Sequence, residues 1–112
     1  MSKFDEALER YQGEMSKLGI KCDVDLLKKV AKGLGPSIYN EDSSKVSCSD
    51  KEELARVKNN FLLKKLGMKD SPELDAAIQD VCQQLGSANR NKFRAMFYYL
   101  LVKKLGKESF YA

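Results

Sequence analysis

Residues 95–102 of this 112-residue chain read Ala-Met-Phe-Tyr-Tyr-Leu-Leu-Val, a run in which every side chain is apolar or aromatic. A helix through this run has no polar face, so it must be surrounded by other helices or packed against a second chain. We therefore predict that the last helix, from about Arg90 to Leu105, is the central element of the fold.

Four other segments have apolar residues at helical spacing, with recognisable start or stop residues. They extend from about Lys3 to Leu18, from Asp23 to Leu34, from Ser49 to Leu66 and from Ser71 to Leu85. The third opens with the capping box Ser49-Asp50-Lys51-Glu52, and the fourth has Pro72 directly after a capping serine. The sequence thus predicts an all-α fold, a compact single-domain bundle of about five helices over residues 1–112 with the C-terminal helix central.

The longest connection, residues 37–49, is polar but contains Ile38, Tyr39 and Val46. We expect these three side chains to pack onto the body of the protein. The C-terminal tail is aromatic at Phe110 and Tyr111, and we expect it to dock as well.

Composition excludes several classes of protein. A hydrophobic share of 43% with 32% charged residues is typical of a folded soluble domain. No apolar run approaches the roughly 20 residues of a membrane span, and the first six residues lack the apolar segment of a secretory signal. Three widely spaced cysteines, Cys22, Cys48 and Cys82, argue against a disulfide framework and for a reducing compartment. We expect a soluble, cytoplasmic protein without contact to a membrane.

Catalytic and metal chemistry have little support. The chain contains no histidine, which removes Ser–His and Cys–His pairs, the usual general base and a ligand of common zinc sites. Cys48 precedes the third helix, where a thiol pKa can fall, but it has no partner base. Cys82 belongs to an apolar stripe and is expected in the core. We predict no catalytic residue, no metal and no cofactor, and so a protein that is not an enzyme.

The start of the last helix carries three cations, Arg90, Lys92 and Arg94. Backbone N–H groups and cationic side chains at a helix N-terminus can bind an anion or nucleic acid. The alternative is pairing with the acidic fourth helix, whose carboxylates are Glu73, Asp75 and Asp80. At the opposite end of the last helix, cations at positions 103, 104 and 107 need no partner, because the helix dipole favours positive charge there.

The leading hypothesis is a non-enzymatic interaction or assembly protein, with the anion or nucleic-acid site as the alternative. An apolar helix that is not covered within its own chain could form a homodimer. The interface residues predicted for that case are Tyr98, Tyr99, Phe110 and Tyr111. The sequence does not identify a partner.

Seven short stretches carry a resemblance to a known family. They are 35–40 (Gly-Pro-Ser-Ile-Tyr-Asn), 49–54 (Ser-Asp-Lys-Glu-Glu-Leu), 57–62 (Val-Lys-Asn-Asn-Phe-Leu), 65–67 (Lys-Leu-Gly), 89–92 (Asn-Arg-Asn-Lys), 98–101 (Tyr-Tyr-Leu-Leu) and 106–109 (Gly-Lys-Glu-Ser). With these the chain resembles the small bacterial family known as domain of unknown function 2853, over nearly its whole length. The resemblance implies a bacterial cytosolic protein of stand-alone size, and it implies no activity, substrate or catalytic residue.

Overall fold

Five helices carry the fold in the computed structural model, which describes residues 3–39, 45–86 and 92–111, apart from the side chains of residues 36 and 37. They are α1 Lys3–Lys17, α2 Val24–Leu34, α3 Lys51–Arg56, α4 Pro72–Leu85 and α5 Arg94–Leu105. α3 continues without a break into a π-helical segment, Val57–Lys65, and two short 3-10 helices cover Gly35–Tyr39 and Glu108–Tyr111. The predicted all-α bundle is confirmed.

α5 lies at the centre of this bundle. Each of its residues from 95 to 102 is buried, and the helix packs against α1, α2 and α4. The apolar circumference is therefore covered by the chain's own helices, which is one of the two arrangements that the sequence allowed. The predicted central position of the C-terminal helix is confirmed.

The start of α5 differs from the prediction. The helix begins at Arg94 rather than near Arg90, because Phe93 is extended and forms an isolated antiparallel bridge with Lys45. The backbone N–H of Val46 donates to the carbonyl of Lys92 over 2.8 Å. Pairing with the 45–46 segment thus holds residues 92 and 93 outside the helix, and residues 87–91 lie outside the described part of the chain.

The start of α3 is shifted by one residue from the predicted cap. The Asp50 carboxylate, not the Ser49 hydroxyl, accepts from the backbone N–H groups of Glu52 and Glu53, at 3.0 and 3.4 Å. The Ser49 hydroxyl instead lies 3.2 Å from that of Ser47. The Asp50 carboxylate thus satisfies two of the N–H groups that have no backbone partner at the start of the helix.

The π-helical segment is a feature that the sequence did not predict. The backbone N–H of Leu66 donates to the carbonyl of Phe61 over 2.9 Å, five residues back rather than four. Phe61 and its neighbour Leu62 are both buried, and the Phe61 ring stacks on Tyr98 with ring centres 4.0 Å apart. The apolar residues at helical spacing in this segment are therefore buried, while their spacing does not predict the π-helical backbone.

Two cysteines form a disulfide. Cys48 and Cys82 are bonded, with their Cα atoms 6.0 Å apart and 34 residues between them in sequence, while Cys22 is free. The expectation that the cysteines form no disulfide is therefore wrong for this pair. It failed because the bond depends on the packing of the turn before α3 against α4, which cysteine spacing does not encode.

The connection and the tail follow the prediction in most respects. Ile38 and Val46 are buried as expected, whereas Tyr39 is exposed, contrary to expectation. The tail docks through Tyr111, which packs against the core, while Phe110 remains largely exposed. None of the described helices has the length and apolar character needed to cross a membrane.

Candidate functional site

Arg94, one of the three predicted anion-binding residues, has its side chain turned into the protein. Its guanidinium forms an ion pair with Glu53, donates to the Tyr98 hydroxyl over 3.1 Å and to the carbonyl of Lys45 over 3.4 Å. The side chains of Arg94 and Glu53 are only 15% and 12% exposed. This pair joins α3 to α5, so it contributes to the packing of the fold.

The electrostatics of this pair agree with that role. Burial of the Glu53 carboxyl would raise its pKa, but hydrogen bonds from Arg56 and Arg94 outweigh burial and hold the pKa below its ordinary value. The carboxylate therefore stays charged near neutral pH and already serves as the counter-ion of Arg94. An incoming anion at Arg94 would have to displace it.

Of the other two predicted anion-binding residues, the structure describes only Lys92. Lys92 is only 8% exposed, and its backbone carbonyl accepts from Val46. Arg90 lies outside the described residues. The anion or nucleic-acid site at Arg90, Lys92 and Arg94 stays a prediction. Of its two described members, Lys92 precedes the helix, and Arg94 begins it but turns its side chain towards Glu53.

The four predicted interface residues divide into two pairs. Tyr98 and Tyr99 are buried in the core, and the Tyr99 hydroxyl accepts from the backbone N–H of Asp23 over 2.7 Å. Phe110 is 48% exposed and meets Tyr111 edge to face, with ring centres 5.0 Å apart. Within this set, Phe110 is the side chain that a partner could reach without opening the core.

A cleft lined by lysines lies between the connection from α1 to α2, the end of α4 and the end of α5. We call it the basic cleft. It encloses about 320 Å³ and is lined by Ile20, Lys21, Gln84, Tyr99, Leu100, Lys103 and Lys104. The three lysines supply positive charge and Gln84 supplies an amide donor, while Ile20 and Leu100 add apolar surface. This composition suits a small ligand with a negative group.

The charge of the basic cleft is only partly neutralised by the protein. Lys104 pairs with Asp80 of α4 over 3.3 Å, although the helix dipole alone gives the cations at this end of α5 no need of a partner. Lys21 and Lys103 have no carboxylate within 4.0 Å among the described residues. Two cations at the mouth of one cleft are thus available to an anion.

A second cleft lies between α3, the π-helical segment and α4. It encloses about 410 Å³, and Lys51, Lys58 and Asp75 are the charged residues that line it. Lys58 is held by Asp70 and Asp75, at 2.6 and 3.1 Å. Because these two carboxylates neutralise Lys58, the second cleft offers less net positive charge than the basic cleft, despite its larger volume.

Metal ligands do not cluster in the described part of the chain. Across residues 3–39, 45–86 and 92–111, no three side chains of the ligating types Cys, Asp or Glu are placed to share a metal ion.

Residues 10–109 match the sequence model of a family described as "Protein of unknown function (DUF2853)". The chain belongs to this family. The match covers most of the chain, which confirms the resemblance inferred from the short stretches. Comparison with curated proteins finds no match. Since the family description names no activity, functional proposals for this family member rest on its geometry.

Sequence reasoning missed the basic cleft. In the sequence, Lys103 and Lys104 fit the C-terminal turn of the last helix, where the helix dipole favours them, and Lys21 belongs to no predicted site. The one available signal was the position of all three residues beside helix ends, where neighbouring helices of a bundle can meet. Nothing in the spacing indicates that the connection from α1 to α2 meets the end of α5 beside Gln84 of α4.

Proposed function

We propose that this chain is a non-enzymatic binding protein whose ligand is a small anion, held in the basic cleft. The observation that supports the proposal is the convergence of Lys21, Lys103 and Lys104 on one cleft, with a described carboxylate bound to only the last of them. The formal net charge of +4 adds a general attraction for anions.

The chemistry of the basic cleft favours a compact group with two or more negative charges, such as a phosphoryl group. Lys21 and Lys103 are exposed, so each contact with a phosphate oxygen contributes only about 1 kcal/mol. Two such contacts correspond to roughly a tenfold to thirtyfold gain in affinity. We therefore expect binding that is weak, selective for charge and sensitive to salt.

Calorimetric titration with inorganic pyrophosphate at low ionic strength tests this proposal. The double variant Lys21→Gln/Lys103→Gln is expected to raise Kd at least about tenfold, because both unpaired cations are lost. The matched control is Lys28→Gln/Lys29→Gln, which removes the same charge from an exposed part of α2 outside the basic cleft. Equal weakening in both variants, or no binding by the unmodified protein, would contradict the proposal.

We also propose that the protein works in the bacterial cytoplasm. The family resemblance implies this location, and the absence of a membrane-spanning helix among the described residues agrees with it. Phosphorylated metabolites are then available as ligands of the basic cleft.

Self-association is the second candidate function. Tyr98 and Tyr99 are core residues, so the observation that favours a homodimer is now the exposure of Phe110 beside Tyr111. If the tail forms the contact between two copies, sedimentation velocity at high micromolar concentration should show a dimer. The variant Phe110→Ser should be a monomer at the same concentration. A monomer at every concentration would refute this candidate.

A further inference from the structure

The disulfide connects a cysteine that is partly exposed to solvent with one that is buried in the core. Cys48 lies in the turn before α3, between the exposed residues Ser47 and Ser49, and is itself partly exposed. Cys82 lies on α4, is only 7% exposed and belongs to the hydrophobic core. A thiolate from solvent can therefore reach the sulfur of Cys48 more easily than that of Cys82, and the accessible sulfur is the one attacked in exchange.

Other contacts hold the Cys48 turn in place independently of the bond. Val46, two residues earlier, is buried and donates its N–H to the carbonyl of Lys92. Lys45 forms the bridge with Phe93, and Asp50 caps α3. These contacts would keep the two sulfurs close after the bond opens, so the bond could form again without refolding.

We propose that Cys48 and Cys82 form a reversible thiol–disulfide exchange site, in which Cys48 is the exchanging sulfur and Cys82 the resolving one. Its reaction partner is a small-molecule thiol or disulfide. This site is separate from the basic cleft and does not depend on anion binding. It also fits a cytoplasmic protein, because disulfides in that compartment are mostly transient.

The exchange balances in both directions. In oxidation, the Cys48 thiolate attacks one sulfur of a disulfide RSSR, forms a Cys48–SR bond and releases RS⁻, which takes up a proton. The Cys82 thiolate then attacks the Cys48 sulfur, the Cys48–SR bond breaks, and a second RS⁻ leaves and is protonated. The two cysteines lose two electrons and two protons in total, and RSSR is reduced to two RSH. In reduction, RS⁻ attacks the Cys48 sulfur, a Cys48–SR bond forms, and Cys82 leaves as the thiolate and is protonated. A second RS⁻ then attacks the sulfur of the bound SR group, RSSR forms, and Cys48 leaves as the thiolate and is protonated.

Trapping the mixed disulfide tests the assignment of roles. All proteins carry Cys22→Ser, are first reduced and are then exposed to oxidised glutathione in native buffer. Adding Cys82→Ser should leave a stable glutathione adduct on Cys48, whereas adding Cys48→Ser should make capping of Cys82 at least about tenfold slower, since that thiol is buried. The Cys22→Ser parent should pass through the Cys48 adduct and end with the Cys48–Cys82 bond.

The outcome is read by mass spectrometry of peptides after an acid quench, with circular dichroism to verify that each variant is folded. Equal capping of the two cysteines in folded variants would overturn the proposal, as would failure of the parent to form the bond. If a variant does not fold, the oxidised Cys22→Ser protein still tests the assignment of roles. Reduced glutathione in native buffer should place the first adduct on Cys48, and a first adduct on Cys82, or opening of the bond only in denaturant, would overturn the proposal.

Discussion

Replacement of Phe97 by alanine is expected to lower the free energy of unfolding by about 4 kcal/mol. Phe97 is 0% exposed and lies in the first turn of α5, which is itself enclosed by α1, α2 and α4. Removing the ring loses its burial and leaves a cavity that three surrounding helices cannot easily fill. A loss of this size is a large fraction of the roughly 5–15 kcal/mol that stabilises a typical domain.

Urea denaturation followed by circular dichroism measures this loss. Phe110→Ala is the matched control, because it removes the same ring from a position that is 48% exposed, and we expect it to cost less than about 1 kcal/mol. Similar losses in the two variants would mean that α5 is not enclosed as described.

Reduction of the Cys48–Cys82 bond is expected to lower the free energy of unfolding by about 3 kcal/mol. The bond links residues 34 apart, so it restricts the unfolded chain substantially, while the contacts of Val46 and Asp50 keep the reduced protein folded. For a domain of this size the corresponding decrease in Tm is roughly 10 °C.

Thermal unfolding of the Cys22→Ser protein, with and without reductant, measures the effect of the bond without interference from the free thiol. Cys48→Ser should resemble the reduced protein and should no longer respond to reductant. A Tm that reductant leaves unchanged in the Cys22→Ser protein would show that the bond does not stabilise the fold, or that it does not form.

The sequence predicts the fold correctly where the local pattern of apolar residues already requires burial. The apolar run at 95–102 predicted the central helix, because a helix without a polar face has to be covered. Helix boundaries were less accurate where a contact distant in sequence intervenes. Phe93 is held out of α5 by Lys45, which is 48 residues earlier in the chain, and no local signal reveals that pairing.

The candidate sites were harder to predict, because each depends on residues that meet only in the folded chain. The sequence reveals the charge of Arg94 but not its contact with Glu53, which turns a predicted anion ligand into part of the helix packing. The same limit applies to the Cys48–Cys82 bond and to the approach of Lys21 to Lys103. Amino-acid type and helical spacing carry no information on which helix ends become neighbours.

The most direct test of the proposed function is a titration of the ¹⁵N-labelled protein with inorganic pyrophosphate, followed by two-dimensional NMR at constant ionic strength. If the basic cleft binds the anion, the amide signals of Lys21, Gln84 and Lys103 should shift in a saturable manner, and those of Lys28 and Lys29 should not. Shifts confined to other regions, or linear shifts spread over all exposed lysines, would contradict specific binding in the basic cleft.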